Sequence, residues 1–123
     1  MKSLDQLRAE RAYGTAESNK GNKDFADLAE KLPTMFQTNG LLATWAFLLA
    51  KKHHDMAQDL LCYLRTPVLD LKVPAGDDVT VFRRWVGDLE GATCLTGSEL
   101  RRLTDEAIAY AGWLKRATQA YKA

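Results

Sequence analysis

The 123-residue chain has little of several things, and each shortage excludes a class of protein. Two cysteines, Cys62 and Cys94, are too few for the disulfide framework of a small secreted domain. Both fall in or beside apolar helical stretches, so free, buried thiols in a reducing cytoplasm are expected. Seventeen basic residues against sixteen acidic ones leave a formal charge of +1. There is then no global field to draw the protein onto nucleic acid or an acidic membrane, and any such binding has to come from a local patch. No signal-like segment stands at the polar N-terminus. The longest apolar run, from Leu41 to Ala50 with only Thr44 polar, is cut off by Lys51-Lys52-His53-His54. That is half of the about 20 residues that cross a bilayer, so membrane contact is not expected.

Catalytic patterns are also missing. The sequence has no nucleophile elbow, no phosphate-binding glycine loop and no metalloprotease helix. His53 and His54 are adjacent, so on a helix they point about 100° apart and do not make the i, i+4 pair of a metal site. The acidic pairs Asp77-Asp78 and Asp105-Glu106 read as a helix start and a solvated surface, because neither sits in an apolar pocket that would raise a pKa. No catalytic residue, metal ligand or cofactor is expected.

What is present is helical periodicity. A hydrophobic share of 46% with 27% charged residues is ordinary for a globular chain, and no shift in composition divides it. A single domain over residues 1–123 is expected: an all-α, compact bundle of about five to seven helices around a buried central helix, with a long C-terminal helix. The first helix runs from about Ser3, its N-cap, to Ser18, with Arg8 and Arg11 among Asp5, Glu10 and Glu17 as a solvated face. The second opens at Asn22 or Lys23, places Phe25, Leu28, Ala29 and Leu32 on one side, and ends at Leu32-Pro33.

A short turn of helix and then the central helix, from about Asn39 to Ala50, follow that break; Gln37-Thr38-Asn39-Gly40 between them reads as a kink or cap, because Asn and Gly both tolerate positive φ. Apolar residues on every side of this helix imply that protein surrounds it. Next comes a helix capped by Asp55, with Met56, Ala57, Leu60, Leu61 and Leu64 on one face. Leu69, Leu71 and Val73 alternate with Asp70 and Lys72, which predicts an extended connector pinned on the helices.

A helix from Asp77 or Asp78 should bury Val79, Phe82, Trp85, Val86 and Leu89 and stop at Gly91. Thr96-Gly97-Ser98-Glu99 has the spacing of a capping box. From it, Leu100, Leu103, Ala107, Tyr110, Leu114, Ala117 and Tyr121 recur at three- and four-residue steps, the pattern of a long helix packed on the rest of its own domain.

Basic doublets repeat: Lys51-Lys52, Arg83-Arg84, Arg101-Arg102 and Lys115-Arg116, each on or at the end of a helix. Either they are solubilising charges, favourably placed at a helix C-terminus in the case of Lys51-Lys52, or some converge on a phosphate backbone. Trp45, Trp85 and Trp113 lie on apolar stripes, where core packing competes with base stacking as an explanation.

The stretch Lys31-Leu32-Pro33-Thr34-Met35-Phe36-Gln37-Thr38-Asn39-Gly40-Leu41 with Trp45-Ala46-Phe47-Leu48 resembles the hallmark of one family: the small all-helical subunit of type III-B CRISPR effector complexes, the fifth Cmr protein. Leu100 to Ala107, Gly112 to Arg116 and the N-terminal Arg11-Ala12-Tyr13 are similar to its other recurring blocks. Asp105 stands where the family often has a basic residue.

The resemblance implies a non-catalytic subunit of an RNA-silencing, antiviral complex. It stacks in more than one copy as the minor filament beside the duplex of guide RNA and target RNA, against the backbone subunits and the large polymerase-like subunit. Under this reading Lys51, Lys52, Arg101, Lys115 and Arg116 face RNA. Arg83 and Arg84 lie outside the matching blocks. Gln37, Thr38 and Asn39 either cap the central helix or meet a neighbouring subunit. A free-standing helical module that binds nucleic acid or protein is the alternative.

Overall fold

A computed structural model describes residues 2–87 and 95–121. Among them the chain forms five helices and no strand, so the all-α expectation and the long C-terminal helix both hold. Helix α1, Leu4–Ser18, begins at a capping box in which Ser3 Oγ accepts from the Gln6 amide and Gln6 Oε1 accepts from the Ser3 amide. Ala12, Thr15 and Ala16 are its buried residues.

Helix α2, Lys23–Ala50, is capped by Asn22 and does not break at Pro33. Phe25, Leu28, Ala29, Leu32 and Phe36 form one continuous buried stripe across the proline. Keeping that stripe on the core outweighs the hydrogen bond that Pro33 forfeits. The break falls at Gly40, whose φ of 81° and ψ of 178° interrupt the helix in a conformation open mainly to glycine. Beyond it Leu41, Thr44, Trp45 and Leu48 are buried, but Ala43, Ala46 and Ala50 face outward. Leu42, Phe47 and Leu49 pack partly buried on either flank, so the central helix is covered on all but one line. Its outer line is alanine, which adds apolar character to the sequence without needing burial.

The corner after α2 is a Schellman motif: the His53 amide donates to Leu48 O and the Lys52 amide to Leu49 O, with Lys52 in the left-handed position at φ 59°. Helix α3, His54–Leu64, starts from His53 with no side-chain cap; Asp55 lies in its first turn and is not the cap. Met56, Ala57, Leu60, Leu61 and Leu64 are buried as expected, whereas Cys62 points the other way and is an exposed free thiol. Cys94, Leu89 and Gly91 lie outside the described residues.

The connector opens with a 3-10 turn at Pro67–Leu69 and not with an extended residue. Arg65 then donates to the carbonyls of Pro74 and Gly76, both at 2.7 Å, and Trp85 Nε1 to Lys72 O, which pins the segment on the helices. Helix α4, Asp78–Val86, is capped by Asp77 and ends at left-handed Gly87. Its buried line is Asp78, Val81 and Trp85, while Val79 and Val86 stay 41% and 40% exposed. Trp85 sets that rotation by meeting Trp45 edge to face, with ring centroids 5.1 Å apart.

Helix α5, Gly97–Ala120, begins at the expected capping box of Thr96 and Glu99. Leu103, Ala107, Tyr110, Ala111, Leu114 and Ala117 are buried against α2 and α1. The packing of the long helix is thus within its own chain. Trp45 and Trp85 belong to the core, and Trp113 sits at its edge.

Candidate nucleic-acid interface

The buried residues of α5 occupy one side of the helix, which fixes what the other side presents. Counting 100° per residue, Arg101 lies opposite the buried line, with Lys115 about 40° to one side of it and Arg116 about 60° to the other. Arg101 and Lys115 are about 21 Å apart along the axis. Arg101 and Arg116 are exposed, and Asp105, also exposed, lies between the two ends of this stripe. Among the described residues, neither Arg101 nor Lys115 forms an ion pair or side-chain hydrogen bond. Arg116 lies over the Trp113 ring, its Cζ 5.2 Å from the centroid. Arg102 turns aside and donates to Leu69 O at 3.3 Å.

Lys51 and Lys52 stand elsewhere, at the α2–α3 corner beside the start of α4, where His54 Nδ1 meets Asp78 Oδ2 at 2.6 Å. Both are exposed, and neither has an ion pair among the described residues. The structure therefore brings Arg101, Lys115 and Arg116 onto one face and leaves the first doublet apart. Arg83 and Arg84 are exposed on α4. Gln37, Thr38 and Asn39 are exposed just before the Gly40 kink and make no side-chain hydrogen bond among the described residues. They do not cap the helix.

The sequence did not reveal the opposite arrangement on the inner side of α5. Glu106 is not a surface residue: its side chain is 12% exposed, and it accepts from Arg8 Nε and Nη2, both at 2.8 Å, and from Tyr63 Oη at 2.6 Å. Burial pushes its pKa up, but the hydrogen bonds from Arg8 and Tyr63 outweigh that and hold the carboxyl below its ordinary range. Asp59 Oδ2 accepts from Tyr110 and Asp59 Oδ1 from Thr15, with Arg11 Nη2 at 3.4 Å. The rings of Tyr63 and Tyr110 stack at 4.1 Å, and burial raises the pKa of both phenols.

Beside this network a cavity of about 630 Å³ opens between α1 and α3, lined by Glu10, Arg11, Asp55 and Asp59 among others. Arg11, which lines it, buries its Nε without an acceptor among the described residues. The expected solvated face of α1 is thus half correct: Arg8 does pair with Asp5 one turn away, but its main partner comes from α5. Residues 8 and 106 are too far apart in sequence for any local spacing to predict that pair. No group of three or more metal-ligating side chains occurs among the described residues. No described helix is long and apolar enough to cross a membrane.

A family model, described as a CRISPR-associated protein (Cas_Cmr5), matches residues 4–121. The chain belongs to the Cmr5 family. No curated protein matches it. Membership makes the chain a CRISPR-associated Cmr subunit, and the match spans all five helices of this Cmr5-family fold. The placement of Arg116 over Trp113 is the feature of the outer face that motif reading missed; its only signal was an aromatic and an arginine three residues apart on a helix.

Proposed function

We propose that this Cmr5-family chain is a non-catalytic structural subunit of a type III-B CRISPR complex in the cytoplasm, acting in antiviral RNA silencing. Copies stack in the minor filament beside the duplex of guide RNA and target RNA, against the backbone subunits and the large polymerase-like subunit. The observation that carries this reading is the outer face of α5, where Arg101 and Lys115 have no acidic partner among the described residues and Arg116 meets only an aromatic ring. Cations held off the protein's own acids are available to phosphates, and they supply position and affinity without base specificity. Lys51 and Lys52 give a second, separate contact with RNA.

Gln37, Thr38 and Asn39 support the stacking part of the proposal. A polar trio beside a kink, with no side-chain hydrogen bond among the described residues, is suited to hydrogen bonds with a neighbouring subunit, and heterologous contacts of this kind build open filaments.

The test is recovery of tagged protein from its native cells, repeated with a Lys115→Glu, Arg116→Glu variant. The expected result is a multi-subunit particle with short guide RNAs, and an intact variant particle that captures less target RNA. Wild-type chain recovered alone, without RNA or partners, would overturn the proposal and leave a free-standing helical module.

A further inference from the structure

The α5 stripe does not present three equivalent charges. Arg101 and Lys115 have no ion pair or side-chain hydrogen bond among the described residues, whereas Arg116 lies over Trp113. Trp113 Nε1 makes a long, exposed hydrogen bond to Asp5 Oδ1 at 3.4 Å, and Asp5 also accepts from Arg8 Nη1 at 2.9 Å, the same arginine that grips Glu106. The ring beneath Arg116 is thus linked to α1 at the surface.

Gly112 contributes as well. It lies one turn before Arg116, and a Cβ there would come within 4.0 Å of Arg116 Nη1, with nothing else that close. That is an ordinary contact distance, so the glycine leaves this side of the guanidinium uncovered without being required by it. Glycine in a helix interior is costlier than alanine, and no packing among the described residues requires it at this position.

Arg116 Cζ lies over the indole at 5.2 Å, within cation–π reach, and the residue is exposed. A guanidinium is planar and weakly hydrated, so an exposed one biased toward an aromatic ring can offer a stacking surface. Unpaired bases stack on aromatic rings and on arginine planes alike, while in a continuous duplex each base face is already covered by its neighbour.

We propose that Arg116, seated on Trp113, is a stacking platform for an unpaired RNA base, with Lys115 and Arg101 holding the flanking phosphates. This rests on the reading of α5 as an RNA face and adds the form of RNA it takes: strands with unpaired bases, such as a splayed nucleotide or a single-stranded flank. It also separates the roles of the adjacent residues Lys115 and Arg116, one acting as a point charge and the other as a plane.

Equilibrium binding of the full chain at low salt would test it. Three 20-nucleotide probes would be used: a single-stranded RNA, a strand of the same length lacking its bases, and a blunt RNA duplex. Trp45 and Trp85 are buried, so a change in tryptophan fluorescence on binding reports Trp113. Arg116→Lys keeps the charge and removes the plane. It should bind single-stranded RNA about tenfold more weakly, by the usual worth of one stacked base, while the base-free strand and the duplex change less than about twofold.

Trp113→Phe should give a smaller loss with the same selectivity, and circular dichroism should show both variants folded. If Arg116→Lys leaves all three affinities unchanged, or lowers all three equally, the platform is refuted while the RNA face stands. Wild-type protein that binds none of the probes would overturn the RNA reading of α5 and the platform with it.

Discussion

The two faces of α5 hold charged groups in opposite states. On the inner side, Glu106 is gripped by Arg8 and Tyr63, and Asp59 accepts from Tyr110 and Thr15, so both carboxylates there are held by other helices. On the outer side, Arg101 and Lys115 have no such partner among the described residues. Arginine count is therefore a poor guide to function: Arg8 and Arg101 are one residue type, but the first holds the fold together and the second is available to something else. Neutralising each set in turn tests this division.

The largest effect is expected at Glu106. Glu106→Ala leaves Arg8, whose side chain is only 16% exposed, facing the interior without its main carboxylate. Breaking such a pair from one side should cost about 3 kcal/mol in urea denaturation, because the remaining charge stays desolvated. The carboxyl's pKa is lower in the folded chain than in the unfolded one. Its contribution is therefore fully present above about pH 4.3, where an unfolded glutamate ionises, and fades as pH falls through the lower folded value. Glu106→Gln should remove that step from the acid limb of the stability curve. If the variant loses stability with acid as steeply as wild type, another carboxylate carries it.

Next in size is Gly40→Ala, which addresses what could be read in advance. The sequence located α1, α5 and both capping boxes because their signals are local: Ser3 with Gln6 and Thr96 with Glu99 lie within one turn. It allowed the kink at Gln37-Thr38-Asn39-Gly40, which forms at Gly40, but added a break at Pro33 that does not form, because Pro33 is a strong local signal whereas its overriding depends on burial of Leu32 and Phe36 against other helices. In the same way it recognised Lys115 and Arg116 as basic but had no means of learning that one is laid on Trp113, or that Arg8 would find Glu106. Forcing a Cβ into the φ 81° conformation should cost about 2 kcal/mol. Pro33→Ala, by contrast, should be neutral or stabilising, since the helix already continues through that position; a larger loss from Pro33→Ala than from Gly40→Ala would return the break to the proline.

Thr44 tests the inner side with the sign reversed. Its hydroxyl is fully buried beside the kink and has no partner among the described residues, unlike Thr15, which donates to Asp59. Removing an unsatisfied buried hydroxyl without changing shape should help, so Thr44→Val is expected to add about 1 kcal/mol. The same change at Thr15 should destabilise by a similar amount, because Asp59 would lose a donor. Two Thr→Val substitutions in one core would then move the melting temperature in opposite directions.

The smallest effect on folding is expected on the outer face, where its smallness is the point. Arg101→Gln and Lys115→Gln remove charges that touch no acid in the described chain, so each should change stability by less than about 0.5 kcal/mol. Their effect should appear in RNA retention. Removing one phosphate-binding charge lowers the slope of log affinity against log salt by about one, and the weakening should be uniform across RNA sequences, since a phosphate carries no base identity. Arg8→Gln predicts the mirror image: a large loss of stability with an unchanged salt slope in the protein that remains folded. If Arg101→Gln destabilised the fold as much as Arg8→Gln, the two faces would not differ in kind, and the unpaired state of the outer charges would say nothing about a ligand.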